Sequence, residues 1–138
     1  MNGAAPEDAA AALVRAKARI GTELPPVRFD IERTDLRRYA SACGETWPAY
    51  ANGDEAAPTF ISSLQTDGMK GDLFERDLPF TSMLHSDDRV ELYAPIRPGD
   101  CLFATSRYCD AVLKQGQRRP MLFQTAEMRL EDSSGQLI

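Results

Sequence analysis

The spacing of apolar residues predicts helices in the first half of the chain. Residues 6–20 begin with Pro6, which suits a first helical turn, and are followed by Gly21, which suits the left-handed position after a helix. One side of this helix is only thinly apolar, so we expect it at the surface as an N-terminal helical extension over residues 1–21. Its apolar positions are Leu13, Ala16 and Ile20.

A strand and a second helix follow. Apolar and polar residues alternate over 27–31, which predicts a half-buried strand. The next apolar residues recur at i, i+3, i+4 and i+7, which predicts a helix with a core-facing stripe. Thr34 is expected to cap this helix and Gly44 to end it. The stripe consists of Leu36, Tyr39, Ala40 and Cys43.

The middle of the chain contains turn-forming residues. We expect a loop over 51–57, a helix opened by Pro58, and an irregular segment over 66–82, which is rich in glycine and aspartate. After it the pattern changes to strands. The predicted strands are one around Val90, Leu92 and Ala94, one over 101–113, and one over 122–130.

Turn residues separate these strands. Residues 97–100 and 132–135 have turn sequences, and residues 114–120 form a basic connection. A further strand begins at Gln136 and is not completed, so either it is truncated or a partner covers that sheet edge. The order of elements predicts an α+β fold in which residues 1–138 form a single domain, with a curved antiparallel sheet around a central helix.

Composition narrows the function. A chain of 138 residues can bury a real core, and its net charge of −5 argues against a nucleic-acid binder or docking on an anionic membrane. Three cysteines without CxxC spacing and a single histidine, His85, give too few ligands for a metal site. No signal sequence or membrane span is apparent, so we expect a cytoplasmic protein.

Several segments together resemble the MaoC-like hydratase/dehydratase family, in its N-terminal or FAS1-like dehydratase type. The resemblance covers about residues 24–138 and implies a hotdog fold, in which a long sheet curls around a central helix. The segments that carry it are Pro26-Val27-Arg28-Phe29-Asp30-Ile31-Glu32-Arg33, Tyr39-Ala40-Ser41-Ala42-Cys43-Gly44, Ala57-Pro58-Thr59-Phe60, Leu84-His85, Pro95-Ile96-Arg97-Pro98-Gly99-Asp100-Cys101-Leu102 and Pro120-Met121-Leu122-Phe123.

The family's catalytic motif, Gly-Asp-x-Asn-Pro-x-His, is degenerate here. Glu45 stands at the aspartate position, Trp47 at the asparagine and Tyr50 at the histidine, while Gly44 and Pro48 are retained. A phenol is protonated at neutral pH and is a poor base, glutamate is one methylene longer than aspartate, and tryptophan crowds the space for water. The residues that would act on water are therefore both changed.

The resemblance and the missing pair predict a non-catalytic subunit of a heteromeric enoyl-CoA or enoyl-carrier hydratase, or 3-hydroxyacyl dehydratase. A catalytic MaoC-like hotdog subunit in a heterodimer or heterotetramer is the expected partner. The substrate is an acyl thioester of coenzyme A or of a carrier protein, and no cofactor is expected. The alternative is a homodimeric acyl-thioester binding protein or thioesterase, for which Glu45 is the obvious carboxylate.

Other candidate site residues have a functional and a structural interpretation. Pro58, Thr59 and Phe60 line the acyl tunnel or simply start a helix, and Trp47 blocks the pocket or serves packing or an interface. The basic residues of the 114–120 connection contact coenzyme A phosphates or an acidic carrier, or form a solvated turn. These are Lys114, Arg118 and Arg119. His85 is either a substitute base or, as we favour, a residue that bonds backbone at the start of a strand.

Overall fold

The computed structural model describes residues 6–64, 73–80 and 82–138. Its helices are α1 (Pro6–Ala18), α2 (Arg33–Cys43), the short α3 (Pro48–Ala51) and a 3₁₀ helix (Pro58–Leu64), and its strands are β1 (Val27–Asp30), β2 (Cys101–Gln115) and β3 (Pro120–Asp132). The strands form one sheet in the order β1-β2-β3, with β1 antiparallel to β2. Helices together with an antiparallel sheet confirm the predicted α+β class.

The chain divides into two compact units, and each of them includes part of β2 and part of β3. The first unit consists of Met1–Pro25, Asp67–Asp87 and Ser106–Met128. The second unit consists of Pro26–Thr66, Asp88–Thr105 and Arg129–Ile138.

In the first unit, α1 is buried along a stripe of small residues. Ala9, Ala12 and Ala16 are fully buried, whereas Ile20 is largely exposed. The buried stripe is therefore not the predicted apolar set of Leu13, Ala16 and Ile20, because alanine at i, i+3 and i+7 lets a helix backbone approach its neighbours closely. The core cluster of this unit consists of Ala16, Leu73, Tyr108 and Ala111.

In the second unit, the predicted strand and helix form where expected. Ile31, directly after β1, is buried, and α2 buries Leu36 and Ala40. The N-cap is Glu32 and not Thr34, since the helix begins at Arg33. Gly44 adopts φ 70° and, with Glu45, donates backbone N–H groups to Ser41 and Ala40, which ends the helix in a Schellman-type turn.

The predicted strand around Val90, Leu92 and Ala94 is wrong, because residues 82–95 contain no regular strand. The backbone N–H groups of Tyr93 and Ala94 both donate to the carbonyl of Ile138, and the N–H of Ile138 donates to the carbonyl of Leu130. An isolated antiparallel bridge joins Glu131 to Leu137. The alternating side chains are present, but this short contact with the 136–138 segment does not extend into a ladder of backbone bonds.

The turns agree with the sequence. At 97–100 the Arg97 N–H donates to the Asp100 carboxylate, and at 132–135 the Ser134 hydroxyl and backbone N–H groups hold the pKa of Asp132 below its ordinary value. Residues 73–80 and 82 lack helix and strand, as predicted for the irregular segment, whose positions 66–72 and 81 lie outside the described residues. None of the helices described combines the length and apolar character needed to cross a bilayer.

Candidate functional site

A cleft in the second unit brings the altered catalytic motif together with the 3₁₀ helix. This cleft, named here the Tyr50 cleft, has a volume of about 260 Å³. Its lining consists of Tyr50, Glu55, Ala56, Ala57, Pro58, Leu92, Tyr93, Ala94, Pro95 and Ile96. The wall is mostly apolar with a few polar groups, which is the ordinary make-up of a small-molecule site.

Tyr50 reaches the cleft because Pro48 starts a single helical turn. Pro48 occupies the first turn of α3, and the carbonyl of Trp47 accepts N–H bonds from Tyr50 and Ala51. The side chain of Trp47 is 64% exposed, so it does not fill the core of this chain. The motif therefore places a phenol, and not an imidazole, in the cleft.

Gly53 determines how the chain leaves α3. It is buried with φ +70°, and a Cβ at this position would lie 2.7 Å from the carbonyl oxygen of Arg33 and 2.7 Å from Cγ of Arg37. Only glycine combines this backbone angle with so close an approach. The turn then brings Glu55 and Ala56 to the cleft, where the Ala56 N–H donates to the Ile96 carbonyl at 2.8 Å.

Glu45 is placed away from this lining. It is half-buried directly after α2, where its N–H helps to end the helix, and it is absent from the residues that line the cleft. Of the two positions that hold the catalytic pair in the family's motif, the structure thus brings Tyr50 into the cleft and leaves Glu45 at a helix end.

Two of the three predicted tunnel residues line clefts, and Thr59 lines neither of them. Pro58 lines the Tyr50 cleft, while Phe60 is buried and lines a second cleft of about 340 Å³. The Tyr39 ring packs edge-on against Phe60 at 5.4 Å, and its hydroxyl donates to the Thr59 carbonyl and lies 2.9 Å from the Thr59 hydroxyl. The second cleft, the Phe60 cleft, is lined by Phe29, Asp35, Arg38, Tyr39, Phe60, Ser63 and Leu64.

The basic residues lie in the first unit, Lys114 near the end of β2 and Arg118 and Arg119 on the connection between β2 and β3. Lys114, Arg118 and Arg119 are all exposed. The Lys114 ammonium lies 4.7 Å from the centre of the Phe123 ring, within the range of a cation–π contact. The Gly116 N–H donates to the Arg119 carbonyl and closes the connection.

His85 is an exposed residue of the 82–95 segment, which lacks regular structure. The described residues 6–64, 73–80 and 82–138 contain no group of three or more histidine, cysteine, aspartate or glutamate side chains that could hold a metal ion. The three cysteines are free thiols.

Sequence reasoning missed Glu55 and Tyr93, which both line the cleft. Glu55 lies in a stretch predicted only as loop, and the loop prediction gives no direction to a side chain. Tyr93 lies on the polar side of the alternation that predicted a strand. The hydroxyl of Tyr93 donates to Glu91 at 2.7 Å, and this bond, with the contribution of Arg89, holds the pKa of Glu91 below its ordinary value.

Comparison with known proteins places the chain in a family. A model of the FAS1-like dehydratase domain region matches residues 18–138. Among curated proteins, UPF0336 proteins of Streptomyces griseus and of Streptomyces coelicolor are each 29% identical over 101 residues, which is 63% of this chain and 67% of the relative.

Solved structures show the fold. The monoamine oxidase regulatory protein from Archaeoglobus fulgius has a TM-score of 0.63 at 14% identity, covering 86% of this chain and 83% of its own. The R-hydratase PhaJ1 from Pseudomonas aeruginosa has a TM-score of 0.55 at 15% identity, and the match covers 86% of this chain and 75% of that protein. The MaoC-like dehydratase from Rhodospirillum rubrum has a TM-score of 0.52 at 14% identity, and the match covers 86% of this chain and 85% of that protein.

These likenesses confirm the predicted hotdog fold and the predicted resemblance. Because the family model spans residues 18–138, the chain belongs to the FAS1-like dehydratase domain region family.

Proposed function

We propose that this chain is the non-catalytic subunit of a heteromeric enoyl-CoA or enoyl-carrier hydratase, or 3-hydroxyacyl dehydratase, and that it shapes the acyl-thioester site. The single observation that carries the proposal is the lining of the Tyr50 cleft. Tyr50 occupies the histidine position of the motif inside the cleft, while Glu45, at the aspartate position, does not line it. The partner, a MaoC-like hotdog subunit, supplies the aspartate and histidine.

The chemistry of hydration explains why these two positions matter. Adding water to an enoyl thioester needs a base that takes a proton from water and an acid that delivers one to carbon. Positioned groups of this kind accelerate a reaction by roughly 10²–10⁴-fold, provided that they lie within hydrogen-bond reach. Tyr50 supplies a phenol where the motif has an imidazole, and a phenol is a poor base for this role.

What the chain offers is a surface for the acyl group. Leu92, Pro95, Ile96 and the alanines at 56 and 57 form the apolar wall of the cleft, and Pro58 opens the 3₁₀ helix beside them. An apolar wall binds an acyl chain through the hydrophobic effect without taking part in proton transfer.

The first unit carries a basic surface of its own at the end of β2 and on the connection to β3. Lys114, Arg118 and Arg119 are exposed cations that can form charge-assisted bonds with coenzyme A phosphates or with an acidic carrier protein. The acyl thioester is the substrate and no further cofactor is proposed. The free thiols are in keeping with a reducing cytoplasm as the site of action.

The test is reconstitution with the MaoC-like subunit that co-purifies with the chain. Loss of the enoyl absorbance of crotonyl-CoA and of a longer enoyl-CoA measures hydration. We expect hydration by the complex, loss of it when the partner's motif histidine is replaced by alanine, and normal turnover with Glu45→Gln in this chain. Failure of the chain to form an active complex with such a subunit contradicts the proposal.

A second candidate is a homodimeric acyl-thioester binding protein or thioesterase, and Glu55 favours it. Thioester hydrolysis on this fold needs a carboxylate near the bound thioester, and Glu55 lines the Tyr50 cleft where Glu45 does not. Release of free thiol from acyl-CoA by the chain alone, lost in Glu55→Gln and kept in Glu45→Gln, supports this candidate over the first.

A further inference from the structure

The residues that line the Tyr50 cleft include a negative group but no positive one. Its lining contains a carboxylate, Glu55, and two phenols, Tyr50 and Tyr93, but no lysine, arginine or histidine. All remaining lining residues are apolar. The cleft therefore has a negative group in a low-polarity wall and no positive group in that wall to balance it.

Glu55 is half-buried, and within residues 6–64, 73–80 and 82–138 its carboxylate forms neither an ion pair nor a hydrogen bond. The neighbouring acid behaves differently, since the carboxylate of Asp54 pairs with the Arg33 guanidinium. A partly desolvated carboxylate without a partner is unfavourable, and a bound cation relieves the cost. The contrast between the two adjacent acids marks Glu55 as the one kept available for a ligand.

The aromatic residues of the cleft favour the same kind of ligand. Electron-rich faces of tyrosine rings attract cations, and recognition of alkylated ammonium groups uses such rings together with a carboxylate. Tyr93 is held by its hydroxyl bond to Glu91, and the charge of that carboxylate is balanced by its ion pair with Arg89. In the described part of the chain the hydroxyl of Tyr50 has no bonding partner.

We propose that the Tyr50 cleft binds an organic ammonium group. This inference rests on the proposed function, which makes the ligand an acyl thioester. The ammonium group is carried by the acyl part of that thioester. Glu55 neutralises the cation, the rings of Tyr50 and Tyr93 contact its alkyl groups, and the apolar wall contacts the adjoining carbon chain. The site then selects acyl groups with a cationic end over plain fatty acyl groups of the same size.

The test compares choline with its neutral carbon isostere, 3,3-dimethylbutan-1-ol, by titration of the isotopically labelled chain. Backbone amide signals of Ala56, Ala57 and Ala94 report occupancy of the cleft. We expect saturable shifts with choline and at least about tenfold weaker binding of the neutral isostere. Glu55→Gln should abolish this preference, and Glu55→Asp, which keeps the charge, should retain it.

Glu45→Gln is the matched control, because it removes a half-buried carboxylate that does not line the cleft. It should keep the full preference for choline. Equal binding of the two probes, no binding of either, or a preference that survives Glu55→Gln in a folded variant overturns the inference. Hydration of crotonyl-CoA by the reconstituted complex is measured separately, so an active complex without choline preference refutes this inference alone. Choline preference without hydration by the complex refutes the proposed function.

Discussion

Two tyrosines, one in each compact unit, show how the same side chain serves different purposes. Tyr108 in the first unit is fully buried, and its hydroxyl donates to the Gln124 side chain at 2.8 Å. Tyr50 in the second unit is half-buried in a cleft, and its hydroxyl has no partner within the described residues. A buried polar group with its bonds made holds a fold together, whereas one left open in a cleft is available to a ligand.

Two glutamates repeat the comparison. Glu75 in the first unit is buried, its carboxylate accepts the Asp77 N–H at 2.9 Å, and Nε of Arg15 lies 3.9 Å from it. The Glu75 backbone also exchanges bonds with the Gln124 amide, which ties the 73–77 segment to β3. Glu55 has no such bonds in the described part of the chain. We therefore assign the Tyr108 neighbourhood to stability and the Tyr50 neighbourhood to function.

The largest expected effect is the loss of stability when the ring of Tyr108 is removed, compared with removal of the ring of Tyr50. Tyr108→Ala should lower the free energy of unfolding by about 3–5 kcal/mol, because it leaves a cavity among Ala16, Leu73 and Ala111. Tyr50→Ala should cost less than about 1 kcal/mol, because the cleft is already open to solvent. Urea denaturation of both variants measures the difference. Equal losses of stability would remove the distinction between the two regions.

Alkaline pH should act through Tyr108. Burial raises the pKa of this phenol from 10.0 to about 12, so the folded state keeps its proton after the unfolded state has lost it. This stabilisation is complete below pH 10 and declines as the pH rises from 10 through about 12, by up to roughly 3 kcal/mol. The unfolding free energies of the wild type and of Tyr108→Phe are compared from pH 9 to 12. The wild type should show this decline and Tyr108→Phe should not.

The smallest expected effect distinguishes the two glutamates. Glu75→Gln should reduce stability by about 1 kcal/mol, because it weakens the bond from the Asp77 N–H and removes the charge opposite Arg15. Glu55→Gln should leave stability unchanged or slightly improved, because it removes an unpaired charge. Thermal unfolding of the two variants provides the measurement, and a larger loss in Glu55→Gln would contradict the assignment of its carboxylate to a ligand.

Local signals in the sequence account for most of the fold. The helix α2 with its buried Leu36 and Ala40, Gly44 and the turn at 97–100 all lie where the pattern places them, whereas Cys43 of the predicted stripe is exposed. Helix ends and tight turns depend on a few neighbouring residues, which makes them predictable. The alternation over 90–94 predicted a strand that does not form. A strand also needs a neighbouring backbone, and in this segment Tyr93 and Ala94 bond only to Ile138. The burial of Ala9 and Ala12 was missed, since alanine carries a weak apolar signal.

The candidate site was predictable only where a motif marked it. The spacing in the family's motif identified Tyr50, and the segment around Pro58 identified the wall beside it. Glu55 reaches the cleft through the turn at Gly53, and nothing in its own residue type distinguishes it from Asp54, which pairs with Arg33 instead. Such a distinction depends on tertiary contacts that a single sequence does not contain.

The most direct test of the account is hydration of crotonyl-CoA by the purified chain without any partner. We predict no turnover above the uncatalysed rate at any protein concentration, since no imidazole lines the Tyr50 cleft and its phenol is a poor base. Robust turnover by the isolated chain that is lost in Glu55→Gln or Glu45→Gln would show that the chain has its own proton-transfer group, and would contradict the non-catalytic assignment.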